Sequence, residues 1–191
     1  MHGEAMSGWL LVALCAATGA YCLLRMGSRA GQQRAGAGSE ALMGFGMALM
    51  AVPAVVFAPP VWGWALYAVV FGAAALRALG QSRESAHHLH HVIGSAAMVY
   101  MALVMAPGVG GSAHAGHAAG QGAGGIPLLT GALLLYYAGY VLRSGTRLTP
   151  VSAVATGPES GSAVAWGARP ELTLACRLSM GIGMIAMLVT L

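Results

Sequence analysis

Long apolar stretches alternate along this chain with short polar breaks that hold Gly, Ser or Arg. A membrane-spanning helix takes about 20 mainly apolar residues at 1.5 Å each. Six segments approach that length: 8–26, 40–57, 61–79, 87–106, 126–142 and 172–191. The pattern predicts an all-α fold, a multi-pass membrane helical bundle of six transmembrane helices. Little chain remains for a soluble domain, so residues 1–191 read as a single integral membrane domain. Two connections are long. Residues 107–125 read PGVGGSAHAGHAAGQGAGG, a flexible outer loop by composition. Residues 144–170 form a Ser-, Gly- and Pro-containing inner loop.

Composition sharpens this. Hydrophobic residues make up 58% of the chain and charged residues only 7%, where soluble domains carry roughly 25%. That balance excludes a soluble globular enzyme, a disordered tail and a nucleic-acid-binding domain. The net charge of +4 rests on nine Arg against five Glu along the whole length, with no basic patch. The lipid bilayer is the expected surrounding, with a protein partner or a homo-oligomer as further expectations.

The Arg positions set an orientation. Arg25, Arg29 and Arg34 follow the first segment, Arg77 and Arg83 the third, and Arg143, Arg147 and Arg169 the fifth. The connections after the second and fourth segments hold none. The positive-inside rule then puts the odd connections in the cytoplasm and both termini outside. The first segment lacks the basic stretch that precedes the apolar core of a signal peptide, so it reads as a spanning helix.

A threefold internal repeat runs through the segments. The odd ones end alike, at Leu24-Arg25-Met26-Gly27, Leu76-Arg77-Ala78-Leu79-Gly80 and Leu142-Arg143-Ser144-Gly145. Arg there meets the negative end of the helix dipole, and Gly suits the turn that follows. The second segment holds Met43, Met47 and Met50, and the sixth holds Met180, Met184 and Met187, both in an M-G-x-G-M-x-x-M pattern. The fourth keeps Met98, Met101 and Met105. A polar residue stands seven positions before Met47, Met98 and Met184: Glu40, His91 and Arg177. At 100° per residue each polar group shares a helix face with its Met residues, Met101 lying at the margin of the face of His87, His91, Met98 and Met105. The chain therefore reads as three αα-hairpin repeats with Met-faced second helices.

Packing explains this pattern first. Met fills irregular gaps, and Gly44, Gly46, Gly181 and Gly183 let helices approach closely. The alternative is a soft-metal path, because thioether sulfur selects Cu(I). The candidate ligands are the nine Met above, with His114 and His117 recruiting the ion outside and His87 and His91 receiving it inside. A solvated interfacial role is the first account of the His87-His88-Leu89-His90-His91 run. Metal binding by His87 with His91, or pH sensing, are its functional alternatives. Glu40, His91 and Arg177 form a candidate polar cluster at the inner mouth, paired for orientation.

Nothing in the sequence supplies catalysis, and a non-enzymatic protein is expected, with no cofactor required and copper as the one candidate. His-Glu-x-x-His, Gly-x-Ser-x-Gly and phosphate-binding Gly loops are all missing. Only one segment has the axial His that a membrane haem site needs. Cys15 and Cys22 are about 10 Å apart along one helix, too far to bridge, and Cys176 lies on the reducing side.

The stretches WLLVALCAATGAYCLLRM, EALMGFGMALMAVP, HHLHHVIGSAAMVYMAL, LLTGALLLYYAGYVLR and CRLSMGIGMIAMLVTL carry a resemblance. Together the chain resembles a family of multi-pass membrane proteins found mainly in actinobacteria, domain of unknown function 5134. The resemblance implies six helices and a bacterial plasma-membrane location. It implies no reaction.

Overall fold

The computed structural model describes residues 2–27, 32–53, 56–57, 59–81, 86–106, 125–146 and 170–191. Its elements are six helices: α1 (His2–Gly27), α2 (Gln32–Met50), α3 (Val61–Gln81), α4 (Ala86–Met105), α5 (Pro127–Gly145) and α6 (Pro170–Val189). No strand occurs among the described residues. The fold is all-α, and each expected apolar segment has its helix.

Local chemistry fixes the helix ends. α5 and α6 both open on Pro, at the first helical position, where a missing N–H costs nothing. α2 departs most from the apolar pattern. It begins at Gln32, two turns before Glu40, because Gln32, Gln33, Arg34 and Ala35 favour helix although they are polar or small. It stops at Met50 rather than running to Phe57. Pro53 has no N–H to donate and biases Val52 away from helix. The chain turns there instead, with the N–H groups of Val56 and Phe57 donating to Pro53 O at 2.9 and 3.2 Å.

Three helices are long and apolar enough to cross a membrane: Met6–Gly27, Val61–Gly80 and Leu172–Val189. Leu89–Met105 is a shorter apolar helix. α2 is made more polar by Gln32, Gln33, Arg34, Ser39 and Glu40, and α5 by Thr130, three Tyr, Arg143 and Ser144.

The chain forms two compact units. One comprises Met1–Val52 with Leu134–Ala186, and the other Pro53–Leu133 with Met187–Leu191. In the first, α1 packs along α2; in the second, α3 packs along α4. These are two of the three expected hairpins. α5 and α6 meet within the first unit, where Gly181 faces Val141 and Tyr140.

The Met-Gly pattern explains part of this packing. A methyl group added at Gly44 would lie 2.9 Å from both the Cα and the N of Gly19, so α1 and α2 touch backbone to backbone. One added at Gly181 would lie 2.8 Å from Val141 Cγ2 on α5. Gly44 and Gly181 hold the same place in the two copies of the pattern, three residues before Met47 and Met184. Each admits the odd helix that precedes it. The matching position in α4 is Ser95, also small and buried.

A candidate ion-pair site on α1, α2 and α6

The first unit buries a charged cluster. Glu40, on α2, is only 2% exposed. Its Oε2 accepts from Arg25 Nη1 at 3.0 Å, and its Oε1 accepts from Arg177 Nε at 3.0 Å. Arg25 comes from the last turn of α1 and Arg177 from the second turn of α6. One carboxylate thus joins three helices, each of its oxygens holding a different guanidinium. Two cations face one anion. An unpaired carboxylate buried this deeply would cost several kcal/mol of desolvation. Two charge-assisted hydrogen bonds offset that cost.

Sulfur and hydroxyl groups surround the ions. The Cys22 thiol donates to Glu40 Oε2 at 3.8 Å. Cys176 immediately precedes Arg177 on α6 and is half-buried. The side chains of Tyr140 and Ser144 on α5 also hydrogen-bond, and Tyr140 lies within electrostatic reach of Arg177 and Glu40.

The structure brings together two members of the expected cluster, Glu40 and Arg177. His91 lies on α4 in the other unit, half-buried, with its ring 6.1 Å from that of His90. Arg25 fills out the triad, although the sequence pattern marked it only as a helix stop and a cytoplasmic charge. Cys15, Thr18, Cys22 and Arg25 stand at offsets of 0, 3, 7 and 10, and all four are buried. That is the spacing of Glu40, Met43, Met47 and Met50, so the signal was present on α1 as well.

Most of the candidate Met side chains are buried. Met43, Met47, Met180 and Met184 are buried in the first unit, and Met98, Met101 and Met187 belong to the second. Met50 and Met105 are half-buried. In the first unit a methyl group at Gly183 would lie 3.4 Å from Cys15 Sγ and 3.7 Å from Met47 Sδ. In the second, Tyr67 donates its hydroxyl to Met98 Sδ at 3.9 Å. Among the described residues no group of three or more His, Cys, Asp or Glu is placed to hold a metal ion. His114 and His117 lie outside the described residues, as does the His87 side chain.

An all-helical fold with three membrane-length apolar helices and a buried ion triad places the chain among helical proteins with membrane-span candidates. Its residues 32–191 match the pattern of the family described as Domain of unknown function (DUF5134). The chain belongs to that family. The match takes in Glu40, Cys176 and Arg177, and leaves out α1 with Arg25 and Cys22. No curated protein and no solved structure matches the chain.

Proposed function

We propose that this is a non-enzymatic integral membrane protein of six spans in a bacterial plasma membrane, with both termini outside, serving a structural or partner-assembly role. The observation that carries this reading is the Glu40 triad. Its groups are engaged with one another, each Glu40 oxygen holding an Arg from a different helix. Intramembrane ionisable groups are expensive and need partners, and this arrangement uses its charges to fix helices together. Three helices already have the length and apolarity to cross a membrane. Three more spans follow if α2, α4 and α5 are completed by their polar ends at the interfaces, where such residues cost little.

The test is cellular. Tagged protein should stay in the membrane pellet through an alkaline carbonate wash. Reporter fusions after α2 and α4 should read as external, and those after α1, α3 and α5 as cytoplasmic. Release by carbonate, or the reverse reporter pattern, would overturn the reading.

The Cu(I) alternative rests on one specific observation: Cys15 Sγ and Met47 Sδ both flank the space beside Gly183. Soft sulfur ligands favour Cu(I). It is tested by the copper bound to purified protein, wild type against Met47→Leu combined with Met184→Leu. Equal stoichiometry would remove copper from consideration.

A further inference from the structure

The glycines of the first unit differ in what a side chain would meet. A methyl at Gly44 would press to 2.9 Å on the Gly19 backbone, and one at Gly181 to 2.8 Å on Val141 Cγ2, so close approach requires Gly at both. At Gly183 a methyl would sit 3.4 Å from Cys15 Sγ, 3.7 Å from Met47 Sδ and 3.7 Å from Leu11 Cδ1, all ordinary contacts. Ala would fit there and is the better helix former by about 1 kcal/mol. Packing therefore gives no reason for Gly at 183. What Gly leaves is a space the size of a methyl, bordered by one sulfur from α1 and one from α2. Both sulfurs belong to the core, with Cys15 2% exposed and Met47 0%. Cys15 is a free thiol, and it stands outside the repeated Met pattern.

The chemistry of the two sulfurs selects an occupant. Cysteine binds a metal as the thiolate, whereas a thioether stays neutral. A monovalent ion held by one thiolate and one thioether has no net charge, which an apolar core tolerates. A divalent ion would leave a positive charge buried without a partner, at a high desolvation cost. Cu(I) is both soft and monovalent. We propose that Cys15 and Met47 bind one Cu(I) ion in the space left by Gly183, as a structural clamp between α1 and α2. Binding breaks the Cys15 S–H bond, forms copper–sulfur bonds to Cys15 Sγ and Met47 Sδ, and releases the proton to solvent. Copper keeps its oxidation state, and no electron moves. The proposal rests on the Cu(I) reading and gives it a place, a thiolate ligand and a consequence. An ion bound only by the folded unit stabilises that unit.

The experiment titrates the purified full-length protein in detergent with Cu(I), without oxygen and against a coloured Cu(I) chelator, and follows melting with and without the ion. The wild type should hold one Cu(I) with only sulfur neighbours by X-ray absorption, melt at a higher temperature when loaded, and retain no Zn(II). Gly183→Ala should fold and, without copper, melt no lower than the wild type. It should nonetheless bind Cu(I) roughly tenfold or more weakly, because the methyl takes the place of the ion. Cys15→Ser should lose binding likewise, whereas Cys176→Ser should bind as the wild type does. A wild type that binds no Cu(I) would defeat the copper reading and this proposal together. Cu(I) held as tightly by Gly183→Ala or Cys15→Ser would overturn this site and leave the copper reading standing, and so would nitrogen or oxygen neighbours. The wild-type absorption spectrum decides the matter even if Cys15→Ser does not fold.

Discussion

In the unit built on α1, α2 and α6, a carboxylate and two guanidinium groups lie where a purely apolar core would be expected. The unit built on α3 and α4 is held, in its described contacts, by hydroxyls, rings and thioethers. Tyr67 stacks on Phe71 at 4.6 Å between ring centroids and reaches Met98 Sδ. Tyr100 accepts from Ile126 N at 2.8 Å and shares a hydrogen bond with Thr130 Oγ1, also at 2.8 Å. The contrast has energetic content. Removing one member of a buried ion cluster strands the others, whereas removing a neutral hydroxyl forfeits only a modest net gain. The two units should therefore respond very differently to single substitutions.

The largest loss is expected at Glu40. Glu40→Ala leaves Arg25 and Arg177 without their shared carboxylate, and thermal unfolding in detergent should show a destabilisation of about 3–5 kcal/mol. Glu40→Gln should recover part of this, because an amide oxygen still accepts from one guanidinium. Next comes the helix contact in the same unit. Gly44→Ala drives a methyl to 2.9 Å from the Gly19 backbone. The two helices must separate, at a cost of about 1–3 kcal/mol, partly offset by the better helix propensity of Ala.

Substitutions in the second unit should matter less. Tyr100→Phe removes the acceptor of Ile126 N–H and the partner of Thr130 at the start of α5. A loss of about 1 kcal/mol is expected, seen as faster amide exchange at Ile126. Tyr67→Phe gives up only the long contact to Met98 Sδ, and its melting curve should shift by under about 0.5 kcal/mol. If Tyr67→Phe and Glu40→Ala proved equally damaging, the contrast between the units would fail.

Much of the fold was legible in the sequence because apolar run length reports directly on helices. The errors fell where that signal is silent. The helical stretch 32–39 is polar, so propensity rather than hydrophobicity carries it. At the other end of α2, an apolar run continued past Pro53 and concealed a helix stop. The candidate site was half legible. Glu40 and Arg177 hold equivalent places in a repeat, so their common depth could be read from spacing. His91 holds that place too, but α4 belongs to the other unit. Arg25 was overlooked because its charge already served to orient the chain, and its meeting with Glu40 depends on how α1 packs along α2, which spacing along the chain does not encode.

The central claim is that Glu40 and Arg177 are energetically coupled across α2 and α6. A double-mutant cycle tests it most directly, with Glu40→Met, Arg177→Met and the double variant unfolded in the same detergent. Coupling of at least about 1 kcal/mol is predicted, the double variant being less damaged than the sum of the singles. Additivity to within about 0.5 kcal/mol would contradict it.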